Sequence, residues 1–154
     1  MAIYLLALLI GIVAGLRAMT APAAISWAAS FGWLDVSGTW LALLGAQWTR
    51  WILSALALGE LVTDQLPSTP SRTVPMQFGA RLVTGALSGA AIGADGGATV
   101  GGLVAGIGGA VIGTLGGRAG RARLAAAFGS DRPAAFIEDA VAVGGALLIA
   151  LSVR

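Results

Sequence analysis

A run of apolar residues from Ala2 to Ala29, interrupted by one charge, Arg17, constrains this chain more than any other feature. Further long apolar stretches follow, with few polar residues between them. Only 10% of the residues are charged and 57% are hydrophobic, whereas a soluble domain carries about 25% charged residues. That is too little charge to dress a globular surface in water. The mean hydropathy of +0.89 agrees. The sequence therefore predicts an all-α integral membrane protein and excludes a soluble enzyme, a disordered tail and a nucleic-acid binder. A spanning helix takes about 20 apolar residues. The 154 residues then hold a single transmembrane domain, residues 1–154, a compact bundle of about five spans.

The absences bound the chemistry. Without Cys there is no disulfide or thiolate, and without His the usual general base and commonest metal ligand are missing. All nine basic residues are Arg. No cofactor and no metal are expected. Met1–Leu16 carries no basic residue, so the charged leader region of a signal peptide is missing, and a retained first membrane helix is expected.

Helical from end to end, the first block would be about 42 Å long, more than the roughly 30 Å hydrocarbon core. Pro22 lacks an N–H and clashes with the preceding turn. A broken element is predicted: a helix to about Leu16, then a short one from about Ala21 to Ser30, with Thr20 as N-cap. Trp27, Trp33, Trp40, Trp48 and Trp51 mark one membrane face. The second span is predicted from Trp40 to Thr63. Asp64–Pro75 holds Pro67, Pro70 and Pro75 and cannot be helical. Thr73 with Pro75 again reads as a helix start, and the third span as Met76–Gly93. A tight turn at Asp95-Gly96-Gly97 separates it from a fourth, Ala98–Gly116. A short apolar piece reaches Phe128, and Asp131 reads as N-cap of the last span, Pro133–Val153.

With five spans, the Asp64–Pro75 loop and an Arg118–Arg132 loop share one side, which collects Arg72, Arg118, Arg121, Arg123 and Arg132. The positive-inside rule places that side in the cytoplasm, with the N-terminus inside and the C-terminus outside.

Most of the 24 glycines lie between Gly79 and Gly120. Gly85, Gly89, Gly93, Gly97 and Gly101 recur every four residues, and so do Gly109, Gly113 and Gly117, which puts each set on one helix face. Such a glycine zipper lets another backbone approach closely, within the chain or in a homodimer. Arg17 lies near mid-membrane and needs a partner or water. Glu60, Asp64, Glu138 and Asp139 are the candidates, and Glu60 and Asp64 share one face at i, i+4. Thr20-x-Pro22 and Thr73-x-Pro75 each open a helix whose free N–H groups suit an anion. Gly15-Leu-Arg17-Ala is echoed by Gly116-Gly-Arg118-Ala, which an odd number of intervening spans would turn into an inverted repeat.

Gly15-Leu-Arg17-Ala-x-Thr-Ala-Pro22, Asp64-x-Leu-Pro67-x-Thr-Pro70-x-Arg72-Thr73, the Gly-rich spans and Glu138-Asp139 together resemble a family of small bacterial integral membrane proteins catalogued as a domain of unknown function. The resemblance covers nearly the whole chain. It implies a multi-pass bundle in the bacterial plasma membrane and supplies no activity.

The residues point first to a small transporter or channel for an ion or small charged solute. Its site would be built from Arg17, Thr20, Glu60, Asp64, Arg72, Thr73, Arg81, Glu138 and Asp139, with all but Thr20 and Thr73 converging at the cytoplasmic half of the bundle. The alternative is a non-transporting assembly or scaffold protein. A membrane enzyme using carboxylates and Mg²⁺ fits less well, without His, Cys or a dense acidic motif. The expected partners are membrane lipid, a second copy and the solute.

Overall fold

The computed structural model describes residues 1–66 and 71–154, and every regular element among them is helical. Pro67, Ser68, Thr69 and Pro70, the centre of the Leu-Pro-x-Thr-Pro motif, lie outside the described residues. The α-helices are α1 (Ala2–Leu16), α2 (Thr20–Ser30), α3 (Thr49–Thr63), α4 (Pro75–Asp95), α5 (Thr99–Phe128) and α6 (Asp131–Ser152). A short 3-10 helix, Trp40–Gly45, precedes α3.

The first apolar block breaks at Arg17, whose backbone turns extended (φ −140°, ψ 110°). Helix resumes at Thr20, with Pro22 in the first turn, where its missing N–H costs no intrahelical bond. Thr20 does not act as the N-cap. It is already helical, and Met19 occupies the cap position.

Three other boundaries differ from expectation. The stretch from Trp40 to Thr63 is not one span. The Thr39 hydroxyl accepts from the Leu41 N–H at 3.2 Å, the Thr49 hydroxyl donates to the Leu43 carbonyl at 2.7 Å, and Ala46 is extended between them. These local bonds stabilise a separate turn before α3. The segment after Gly116 is not a loop. Each helical glycine costs only about 1 kcal/mol, so α5 runs on until Gly129 adopts φ +67°, the left-handed conformation that ends a helix. The last helix starts at Asp131 rather than Pro133, behind Ser130. Thr73 likewise makes no side-chain cap, because Val74 precedes Pro75 at the start of α4. The turn at Asp95–Gly97 is present, with Gly97 at φ +69°.

The centre of the bundle is backbone on backbone. α1 and α4 both pack along α5. A Cβ on Gly15 would lie 2.5 Å from the Ala110 carbonyl oxygen, and one on Gly85 would lie 2.8 Å from the Gly106 carbonyl oxygen. Gly89 meets Gly102, Gly93 meets Ala98, and Gly11 meets Gly106 in the same way. Of the two uses the spacing of four allowed, these glycines show packing within the chain.

These contacts also set directions. Rising numbers on α1 meet rising numbers on α5, so the two are parallel, while α4 is antiparallel to α5. The Asp35 N–H donates to the Asp95 carboxylate at 2.8 Å, Arg154 stands over the Trp33 ring at 5.7 Å, and a Cβ on Gly96 would strike Ile3. Both termini, the Phe31–Gly38 connector and the α4–α5 turn therefore share one end. Arg17, paired with Asp64 and Asp139, lies at the other. The five-element order with ends on opposite sides is corrected. The chain reverses at Arg17, the six helices alternate in direction, and the termini are neighbours. The inverted-repeat reading falls with it, since α1 and α5, which carry the echoed segments, run parallel.

The buried apolar residues are mostly small, Ala7, Ala14, Ala21, Ala28, Ala90, Ala91, Ala142 and Ala146 among them. Ile10, Ile25, Leu34 and Leu41 are buried with them, but many large ones face outward: Trp51, Ile52, Leu58 and Val62 on α3, Val104 and Leu115 on α5, Phe136, Val141, Leu147 and Leu148 on α6. By length and composition α5 and α6 could cross a membrane.

Candidate functional site

The break at Arg17 leaves carbonyls at the end of α1 and N–H groups at the start of α2 without intrahelical partners. Two charged side chains supply them. The Arg81 guanidinium, from α4, donates to the Gly15 and Leu16 carbonyls, each at 2.7 Å. The Thr114 hydroxyl adds a longer bond to Gly15 at 3.3 Å. The Glu60 carboxylate, near the end of α3, accepts from the Ala18 and Met19 N–H groups at 2.8 Å each. Arg81 Nη2 stands 3.7 Å from Glu60. The α2 N-terminus expected to await a ligand anion already holds this one.

One turn beyond Glu60 lies a second layer. Arg17 is fully buried. Its Nε donates to Asp139 at 2.6 Å, and its terminal nitrogens pair with Asp64 and Asp139 and approach Glu138 at 3.8 Å. Glu138 and Asp139 are adjacent on α6 and so point about 100° apart. Asp139 reaches Arg17, while Glu138 takes Arg72 through both guanidinium nitrogens, with Nη2–Oε2 at 2.9 Å. Arg72 also stands 3.8 Å from Asp64. Seven of the nine expected site residues thus converge: Arg17, Glu60, Asp64, Arg72, Arg81, Glu138 and Asp139.

Thr20 and Thr73 stay outside. Thr20 is buried with its hydroxyl unpartnered, and the Thr73 hydroxyl lies 3.0 Å from that of Ser71.

Two members were not anticipated. Arg121 of α5 reaches Asp64 at 3.2 Å, Glu138 at 3.4 Å and Asp131 at 2.6 Å, and the Gln65 amide donates to Asp139 at 3.1 Å. Reading residues 118–132 as a loop hid Arg121. Continued helical spacing from Gly113 and Gly117 would have put it on the face that meets α6.

Beyond the network a pocket of about 770 Å³ opens at the same end, walled by Asp64, Arg72, Arg118, Arg121, Asp131 and Arg132. Arg17 does not line it, but Asp64, Arg72 and Arg121 belong to both network and wall. Arginines alternate with the acids, and among the described residues no three acids cluster as metal ligands do. The arrangement is suited to binding charge. At the opposite end the Ser37 hydroxyl and N–H, both donating to the Asp35 carboxylate, hold its pKa below the usual carboxylate value.

No protein family, curated protein or solved structure matches the chain.

Proposed function

We propose that this chain is a small integral membrane protein that moves a small charged solute, and that the pocket is where the solute enters or leaves. The membrane reading is supported by the packing, with a core mostly of Ala and Gly and with many Leu, Ile, Val, Phe and Trp side chains exposed on α3, α5 and α6. Soluble monomers rarely expose apolar patches beyond a few hundred Å², while lipid offers such side chains a solvent and rewards small residues at helix contacts. The arginine-rich end faces the cytoplasm by the positive-inside rule. Both termini then lie outside the bacterial plasma membrane that the family resemblance implies.

The observation that carries the transport reading is the shared wall. Asp64, Arg72 and Arg121 line an open pocket and also touch the charges that surround buried Arg17. A Cβ on Gly117 would lie 3.0 Å from Glu138 and 3.2 Å from Arg72. The network is therefore level with Gly117, about 27 Å along α5 from Thr99. That depth is near one edge of a roughly 30 Å hydrocarbon core. A solute in the pocket would meet groups that can exchange partners by rotating.

A second reading has its own observation. Each acid at this end has an arginine partner within the chain, so the network is also a lock for the bundle. A proteoliposome flux screen over small ions and anionic metabolites separates the two. Transport requires flux with the wild type and its loss in a folded Arg72→Gln variant. No flux with any solute, together with a large loss of thermal stability in that variant, leaves the lock.

A further inference from the structure

The geometry points to a binding site for a phosphate-type oxyanion in the pocket, held by Arg118 and Arg132. It rests on the transport reading only for the oxyanion being cargo. Binding itself follows from the charge inventory.

The chain has seven acidic residues and nine arginines. Asp35 and Asp95 lie at the far end with Arg50 and Arg154, and those charges balance. At the pocket end Arg81 takes Glu60, Arg17 takes Asp64 and Asp139, Arg72 takes Glu138, and Arg121 takes Asp131. No carboxylate is left. Pro67, Ser68, Thr69 and Pro70 add none, so the deficit holds for the whole sequence. The net charge of +2 therefore sits at this end.

Arg118 and Arg132 line the pocket and have no ion-pair partner among the described residues. Arg118 has only a 3.5 Å contact with the Thr73 hydroxyl. They come from different helices, α5 and α6, so they approach a ligand from two sides. Ser71 and Ser130 line the same pocket and bring hydroxyls. Planar guanidinium forks match the paired oxygens of phosphate and bind it bidentately. Two unpaired arginines suit a ligand with several acceptor oxygens and more than one negative charge. The volume exceeds that of an inorganic phosphate, and Leu66, half-exposed, adds an apolar wall. A free phosphate ester and the head group of an anionic lipid present this same chemistry.

The test uses the purified full chain, with Arg118→Gln/Arg132→Gln as variant and Arg123→Gln as control, since Arg123 is exposed and does not line the pocket. One arm titrates inorganic phosphate calorimetrically in detergent at constant ionic strength. The other measures thermal stability in nanodiscs of phosphatidylglycerol or phosphatidylcholine. Phosphate binding by wild type and control, at least 10-fold weaker in the double variant, supports the site with a soluble ligand. Stabilisation by phosphatidylglycerol alone, lost in the double variant, supports it with a lipid head group. If the double variant does not fold, Arg118→Gln alone is expected to weaken binding several-fold. Binding of neither probe, or equal binding by wild type and variant, overturns the proposal. Binding with no flux of any solute removes transport and leaves the site. Flux without binding removes the site and leaves transport.

Discussion

Gly106 stands where α1, α4 and α5 meet, and replacing it with Ala is the sharpest test of the packing. A Cβ there would overlap the Gly85 carbonyl oxygen, and would lie 2.9 Å from the Gly85 carbonyl carbon and 3.1 Å from the Gly89 Cα. Gly11 and Gly89 approach Gly106 from the other side of each contact. Overpacking costs about 1–3 kcal/mol. The upper end applies because the obstacle is backbone, which has no alternative rotamer. Ala gains about 1 kcal/mol over Gly in a helix, so the net loss is about 2 kcal/mol, roughly a 30-fold change in the unfolding equilibrium. Gly116, in the same helix, faces open space, and a Cβ there would meet nothing within 4 Å. Gly116→Ala is expected to stabilise by up to about 1 kcal/mol. The two changes are chemically identical and differ by about 3 kcal/mol with opposite sign. Tryptophan fluorescence during denaturant titration in mixed micelles reads both. A Gly106→Ala protein as stable as wild type would refute the backbone contact.

Arg17→Ala is expected to cost about 3 kcal/mol, because part-buried Asp139 loses its cation while Asp64 keeps Arg121, and Arg17→Leu/Asp64→Leu/Asp139→Leu recovers much of it. A triple variant no more stable than the single one in the same titration would count against a replaceable lock. The lowered folded pKa of Asp35 contributes stability that is present above the unfolded value of about 3.9 and is lost as pH falls through the folded value. Carboxyl NMR should show the Asp35 midpoint rising in Ser37→Ala, and an unmoved midpoint would deny the Ser37 bonds their role. Since the chain has no Cys, single cysteines at Ala2, Arg132 and Arg154 can be labelled in whole cells with an impermeant reagent. Ala2 and Arg154 should label alike and Arg132 oppositely, and termini that label differently would contradict the six-helix alternation.

Much of the charge cluster was legible because the chain offers so few alternatives. With seven acids in all, an arginine inside an apolar block has a short list of partners, and Arg17 finds Asp64 and Asp139 from that list. The pairing itself was not legible. Glu60 and Asp64 sit on one face of α3, and nothing local tells which of them meets Arg17. Tertiary structure assigns Glu60 to the open N–H groups of Ala18 and Met19, just before α2, and leaves Asp64 to Arg17, because the broken helix end arrives level with Glu60. Arg121 joined the site only once α5 proved continuous through Gly116, Gly117 and Gly120, and Gln65 joined it from beside Asp64, past the end of α3.

The sequence by itself determined what depends on a few neighbouring residues. Arg17 with Pro22 breaks the first block, Gly97 makes the turn after α4, Gly129 ends α5, and long apolar runs give the helices among the described residues. Tertiary structure alone decided the direction of α2, the neighbouring termini, the parallel run of α1 and α5, and the use of the glycine faces inside one chain. A spacing of four makes a face smooth, and any smooth backbone will fit against it. Which backbone does so depends on where the chain reverses, and that was settled by Arg81 and Glu60, more than forty residues away in sequence, satisfying the open ends at Arg17.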